Sequence, residues 1–314
     1  MSMSTPPRTA GLLIGFGGPE EPDQIRPFLR HVLRGRPVPP ERIEVVAHHY
    51  EAIGGRSPFN EWTERQRLAL EQRLAALGTP LLLRAAMWHV PPFCETVLRE
   101  LTDQGVRRVL VLIMAAFHDS ATVQRYTAVV EEAVLALAPG GPELQVTYVA
   151  GPDRDAGFYR ANAQHITQAR QQLPAALRDR AKLLFTAHSV PTAVGHSSGY
   201  VERFEHAAQA IARELGDVPY RCVYQSRSGS PREPWLEPDV CDALREEMAQ
   251  GAPAVILAPI GFVCDHVEVL YDLDVEAAAL ARELQLPLVR SATVGTNADY
   301  IDALAQPVRQ QLLS

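Results

Sequence analysis

The chain lacks a long apolar run. Its longest clear one, Val109 to Phe117, falls far below the roughly 20 residues that a membrane-spanning helix needs, and reads as a buried strand. The opening MSMSTPPRTA has no apolar stretch of the kind a secretory leader requires. Cysteine is sparse. Cys94, Cys222, Cys241 and Cys264 form no C-x-x-C pair, and their spacing matches no zinc or iron–sulfur pattern. A reduced, cytoplasmic setting is the plain expectation. Positive charge is not in surplus: 30 basic residues against 37 acidic ones leave a net charge of −7, which argues against a nucleic-acid binder. An anionic ligand would need a local cluster of cations. The chain shows no internal repeat and no low-complexity segment.

What is present is a globular balance. Hydrophobic residues make up 46% and charged residues 21% of 314, enough for a sizeable core and two domains of ordinary size. Short continuous apolar runs, as in strands buried on both faces, lie at Leu12–Phe16, Leu81–Trp88, Arg108–Phe117, Gln145–Ala150, Lys182–Ala187, Arg221–Gln225, Ala254–Val263 and Pro287–Arg290. Helical periodicity fills the gaps, at Asp23–Arg34, Glu61–Ala76, Pro91–Gln104, Ala121–Leu137, Ala156–Gln172, Gly199–Leu215, Val240–Gln250, Glu268–Leu284 and Asn297–Leu313. Asp23 is placed to cap the first helix, and Gly216 to end the one at Gly199–Leu215. The alternation predicts an α/β fold of two Rossmann-like doubly wound domains, each a four-stranded parallel sheet flanked by helices. The divide falls near residue 150, giving domains 8–150 and 151–314, with the last helix packing back on the first domain. Ligands of such folds sit in the crevice at the carboxyl ends of the strands.

Five segments are candidates for chemistry. His188, in KLLFTAHSVP, directly follows an apolar strand and precedes Pro191. Imidazole suits both a divalent metal and proton transfer near neutral pH, although a histidine here also suits a loop hydrogen bond. In GFVCDHVEVLYDLDVE, Glu268, Asp272 and Glu276 recur every fourth residue, which on a helix makes one row of carboxylates. The helix dipole accounts for acids in a first turn but not for Glu276. Such a row suits the passage of a hydrated cation or of protons; a solvated acidic face is the plainer alternative. In LLIGFGGPEEPD, Gly15, Gly17 and Gly18 permit close backbone approach or simply a tight turn, and neither a dinucleotide fingerprint nor a P-loop is present. The stretch from His31 to Trp62 carries Arg34, Arg36, His49, Arg56 and Ser57, which could hold carboxylates, and Tyr50, Phe59 and Trp62, which could pack on a flat ring. An ordinary surface loop is the alternative. GHSSG (195–199) matches the nucleophile elbow of serine hydrolases, but Pro191 ends the strand too early for Ser197 to sit on one.

Taken together these segments resemble the ferrochelatase family over nearly the whole chain. GFGGPEEPDQIRPFLRHVLRGR is similar to its opening segment and YEAIGGRSPFNEWTERQ to its porphyrin loop. FTAHSVP is similar to its catalytic histidine motif, YQSRSGSPREPWLEPDV to its Gln-Ser…Pro-Trp-Leu segment, and PIGFVCDHVEVLYDLDVE to its catalytic glutamate motif. The resemblance implies a chelatase-like fold and insertion of Fe²⁺ into a porphyrin in haem biosynthesis, coproporphyrin III ahead of protoporphyrin IX. It implies that His188 and Glu268 face the metal across the porphyrin, that Asp272 and Glu276 continue as a proton or metal path, and that Ser57, Tyr126 and, more weakly, Tyr50 contact the ring. His188 would accept a proton and ligate iron transiently; Glu268 would strip and deliver the ion.

The chain also departs from the family pattern. Phe16 stands where some bacterial members have an iron-ligating tyrosine, and Leu33 where they have an arginine, so the propionate contacts must differ. Without a cysteine-bearing tail after Ser314, no iron–sulfur cluster is expected, and iron is a substrate rather than a resident cofactor. The expected partners are the porphyrin and ferrous iron, with no nucleic acid and no transmembrane segment. A monomer is the default, with at most transient contact to neighbouring enzymes of the haem pathway. Two rival readings remain: a cobalt or nickel tetrapyrrole chelatase, and a haem or porphyrin carrier.

Overall fold

A computed structural model describes residues 8–33, 39–137, 143–228 and 233–313. Eight strands form two sheets. The first holds β1 (Arg8–Gly15), β2 (Leu82–Met87), β3 (Val106–Ile113) and β4 (Gln145–Tyr148), in the order β2-β1-β3-β4. The second holds β5 (Lys182–His188), β6 (Tyr220–Gln225), β7 (Val255–Ala258) and β8 (Leu288–Arg290), in the order β6-β5-β7-β8. Every pairing is parallel, so the carboxyl ends of each sheet's strands share one edge. The central strands are continuous apolar runs, Ala10–Ile14 in β1 and Val109–Ile113 in β3, because helices cover both faces. This is the α/β architecture the alternation predicts.

In each sheet the first strand in sequence has its next two strands on opposite sides, so the winding reverses beside β1 and beside β5. A reversal opens a crevice, because the connections on either side leave in opposite directions. The glycine loop follows β1. His188 ends β5, and the Gly261–Glu268 segment follows β7 next door.

Several local expectations give way to tertiary structure. β7 stops at Ala258 because Pro259 cannot donate to a ladder. Asp23 caps nothing: it lies inside a single 3₁₀ turn, Pro22–Gln24, and α1 (Ile25–Val32) begins without a side-chain cap. Gly216 does end its helix, at φ +89°. The stretch after His31 contains a helix, α2 (Pro40–Ala52), where a loop was the alternative. Ile43, Val46, Ala47 and Tyr50 give it an apolar stripe that packs on Ile25, Phe28 and Leu29 of α1. Ser197 sits exposed in a short helix, Thr192–Ser197, and bonds back to the Val194 carbonyl, so GHSSG forms no nucleophile elbow.

The two sheets share one core. A single apolar cluster runs from Leu13 and Leu83 through Leu183 and Phe185 to Tyr300 and Leu304. The C-terminal helix, Ala298–Leu313, lies against both α3 (Phe59–Ala76) and α6 (Ala156–Gln172). Arg73 pairs with Asp302, and buried Gln66 of α3 donates to the carbonyls of Val263 (2.9 Å) and Gly295 (3.0 Å). Where α6 meets the C-terminal helix, a Cβ on Gly157 would stand 2.3 Å from the Asp299 carbonyl oxygen. Backbone cannot yield as a flexible side chain can. Gly157→Ala should therefore lower unfolding free energy by about 1–3 kcal/mol, read as a shifted urea midpoint at unchanged slope.

Candidate active site

His188 is the last residue of β5, and its partner position on β6 is Gln225. Its ring is held at both nitrogens and its backbone from a third side. Nδ1 lies against the Ser189 carbonyl, the Tyr200 hydroxyl donates to the His188 carbonyl (2.9 Å), and Nε2 stands 3.3 Å from Oε1 of Glu268. With the Nδ1 proton on the carbonyl, Nε2 is the nitrogen that changes state. The His188 and Glu268 side chains keep 28% and 35% of their exposure, so the pair meets solvent at one edge. Burial, the largest single influence, would lower the His188 pKa, but the charge and hydrogen bond of Glu268, with the Ser189 carbonyl and Asp272, together outweigh it and the net shift is upward. Burial likewise pushes Glu268 up, and His188, helped by His266, pulls it below the ordinary value. Each group thus favours the charged form of the other.

The backbone that carries Glu268 is fixed from below. Gln225, 1% exposed, donates to the Glu268 carbonyl (2.6 Å) and accepts from the Thr186 hydroxyl (2.7 Å). Gly261 lets the loop after β7 cross the end of β5, where a Cβ would meet the Ala187 backbone at 2.7 Å. His266 caps the helix start by accepting from the Glu268 amide (3.3 Å), and burial keeps its pKa low although Glu268 and Asp265 raise it.

The helix expected over Glu268–Leu284 is composite: Val267–Val269 is α, Leu270–Ala277 is π, and Ala278–Glu283 is α again. A π turn bonds i to i+5, is rare, and recurs at functional sites. In this wider turn residues four apart still share a face, and Glu268, Asp272 and Glu276 act on one another electrostatically in that order. Asp272 is buried, and Ser226, itself left-handed at φ 63°, donates its hydroxyl to it. Burial above all lifts Asp272 to about 7; the Ser226 bond opposes this, and Glu268 and Glu276 add to it. Glu276 is exposed, and partial burial with Asp239 beside it raises its pKa.

The expected ring contacts fare unevenly. Ser57, Tyr50 and Tyr126 are 6%, 5% and 8% exposed. Ser57 accepts from the Phe59 amide, Tyr50 packs edge-on to Phe28, and Tyr126 packs edge-on to Trp88. Phe59 is buried in the shared core, and Trp62 covers Gly295, so neither is left as an open stacking surface. The accessible aromatic face is instead Phe16, 36% exposed, with Phe28, Trp88 and His89 around it. Arg34 and Arg36 lie outside the described residues, and Arg56 is exposed. His188 and Glu268 do not face each other across a ring: 3.3 Å is a hydrogen-bonding distance that admits nothing between them.

Sequence reading overlooked Tyr200, Gln225, Ser226 and His266. Gln225 carried the same signal as His188, a polar residue closing an apolar strand, and His266 lies two residues from Glu268. Among the described residues no group of three or more His, Cys, Asp or Glu is arranged to hold a metal ion. Two donors at a half-open edge suit an ion in passage, whose remaining ligands come from elsewhere.

Compared with known proteins, residues 8–312 match the family model for ferrochelatase. The chain belongs to the ferrochelatase family. As such it is an enzyme, a lyase that inserts iron into a porphyrin in haem biosynthesis. It is 40% identical to the coproporphyrin III ferrochelatase of Streptomyces coelicolor over 97% of this chain and 86% of that one. It is 36% identical to a ferrochelatase of Rhodopirellula baltica over 98% and 87%. Among solved structures, SirB from Bacillus subtilis with Fe³⁺ aligns over 96% of this chain and 95% of its own, with TM-score 0.56 and 11% identity. That likeness carries the chelatase-like fold alone. No helix among the described residues is long and apolar enough to cross a membrane.

The burial of Asp272 has a consequence for this ferrochelatase's stability. Its carboxyl holds a proton more tightly folded than unfolded. The stabilisation is therefore complete below the ordinary carboxylate range near 3.8 and is lost as pH rises through about 7. Relative to Asp272→Asn, the native chain should lose about 2–3 kcal/mol of unfolding free energy between pH 5 and pH 8, measured in urea. An equal pH dependence in both proteins would contradict the assignment.

Proposed function

We propose that this chain inserts Fe²⁺ into coproporphyrin III, with His188 as proton acceptor and Glu268 as the residue that delivers the ion. The observation that carries the reading is the contact between His188 Nε2 and Glu268 Oε1 at the crevice where the second sheet reverses its winding. The choice of porphyrin is supported by the Streptomyces relative and by others so named, from Mycobacterium avium at 40% identity and Nocardia farcinica at 37%.

Insertion requires two pyrrole protons to leave as a hydrated cation sheds water. Glu268 strengthens the hold of His188 on its proton for as long as that carboxylate carries no metal. A cation reaching Glu268 cancels the negative charge that holds the imidazole proton. The His188 pKa then falls, its proton passes to the acid row, and neutral Nε2 becomes a base for the pyrrole N–H. Asp272, poised near neutrality, relays the proton, and exposed Glu276 releases it. The macrocycle is held between the halves 8–150 and 151–314, its face against Phe16 and Trp88, with Ser57, Tyr50 and Tyr126 shaping the floor beneath. Nonplanar binding of the ring would expose its nitrogens, at a cost offset by remote contacts. The chain works in the cytoplasm as a monomer, with iron as its substrate.

Anaerobic assays with Fe²⁺, Co²⁺ or Ni²⁺ and each porphyrin, followed by absorbance, test the reading. The native chain should turn over Fe²⁺ with coproporphyrin III at a higher kcat/KM than with protoporphyrin IX. His188→Ala should lower kcat by about 10³-fold while porphyrin fluorescence still reports binding. Asp272→Ala should lose less. Faster turnover with cobalt or nickel would favour another chelatase, and porphyrin binding without turnover a carrier. Undiminished turnover in His188→Ala would remove that residue from the mechanism.

A further inference from the structure

The π segment is gripped from outside by one side chain. Arg290, the last residue of β8, is 16% exposed and reaches two carboxylates at once. Its Nε and one terminal nitrogen donate to Asp274 at 2.6 and 2.8 Å. Its terminal nitrogens also donate to Asp265, at 3.2 and 3.3 Å. The Thr293 hydroxyl donates to the same Asp265 carboxylate at 3.0 Å. The Arg290 backbone is itself anchored: Arg290 pairs with Leu257 in the sheet, and the Ser291 amide donates to the Leu257 carbonyl at 2.8 Å. The grip is therefore mounted on the strand bed and not on a mobile loop.

The two anchor points bracket the chemistry. Asp265 precedes His266, Asp274 lies within the π segment, and Glu268 and Asp272 fall between them. A π segment is less well bonded than an α-helix, so tertiary contacts must select it. Were this stretch to wind as an α-helix, Asp274 would swing round relative to Glu268 by on the order of 100°, one residue's rotation. A guanidinium fork fixed at Asp265 could not follow it, because its five donors lie in one rigid plane. The double grip is compatible with the π register and not with the α register.

We propose that Arg290 is a positioning residue for iron insertion: by holding Asp265 and Asp274 together it keeps the π register that sets Asp272 in line with Glu268. The inference rests on the reading that Glu268 and Asp272 act together at the insertion step. Arg290 touches neither His188 nor Glu268, and its contribution passes through the azimuth of the helix. Asp274 is 39% exposed on the outer side, so its replacement removes one limb of the grip without opening the core.

Asp274→Asn, Asp274→Glu and Arg290→Lys are to be assayed anaerobically with Fe²⁺ and coproporphyrin III, alongside porphyrin affinity by fluorescence quenching and thermal unfolding. Misaiming a group by a fraction of its proper placement is enough for Asp274→Asn and Arg290→Lys each to lower kcat about tenfold. Porphyrin affinity should stay within about twofold of the native chain, as for a loss confined to the transition state. Asp274→Glu, which keeps a carboxylate for the fork, should recover most of the rate. The proposal is overturned if kcat in the Asn and Lys variants stays within about twofold of native. It is overturned equally if rate, porphyrin affinity and melting temperature fall in step, or if glutamate does no better than asparagine. A native chain that inserts no iron would sink the functional reading itself, and this inference with it.

Discussion

An imidazole and a carboxylate 3.3 Å apart, each short of its full hydration, control one another's charge. Burial disfavours both ions, and each nonetheless favours the charged form of the other. A positive charge placed at the carboxylate would weaken the hold of the imidazole on its proton. The rest of the molecule serves to keep these two groups at that spacing. The parallel sheet puts His188 at a strand end, the reversal of winding beside β5 brings the segment after β7 alongside it, and Gln225 ties the Glu268 backbone to the same strands.

Proton affinity along the acid row is set by surroundings rather than by residue type. Glu268 is pulled down by His188, Asp272 sits near neutrality because it is buried with only a hydroxyl to help it, and Glu276 meets solvent. Three carboxylates of similar intrinsic acidity thus become three different stations. The ion pairs of Arg290 with Asp265 and Asp274 tie the wide turn that carries Asp272 and Glu276 to the edge of the sheet. Stability and function meet here. A buried carboxyl that favours its proton makes folding harder to sustain at alkaline pH, and it is also the group suited to relay one.

The two halves are joined by packing as much as by the chain. Gln66 reaches from α3 to the carbonyls of Val263 and Gly295, and the apolar cluster does not stop at the boundary between the sheets. The loop that leads to Glu268 is therefore braced from the opposite half. Phe59 and Trp62, which a reader of the sequence would assign to a flat ligand, are consumed by this bracing. Phe16 and Trp88, at the ends of β1 and β2, are left to offer the aromatic surface.

Periodicity and apolar runs were sufficient, without coordinates, to set the eight strands in order, the parallel doubly wound class, the strand-end position of His188 and the four-residue spacing of Glu268, Asp272 and Glu276. These depend on local pattern and on the near-universal handedness of parallel crossovers, which act within a few tens of residues. Tertiary structure alone decided that His188 and Glu268 touch instead of facing each other over a gap, that Asp272 and Glu276 ride a π segment, and that Tyr50, Ser57 and Tyr126 are buried. It also decided that α2 is a helix, although its stripe of Ile43, Val46, Ala47 and Tyr50 was there to be read. The physical reason is range: spacing along the chain determines which face a residue occupies, whereas contact distance, hydration and turn type are settled by elements distant in sequence, here β5 against β7 and Arg290 against Asp274.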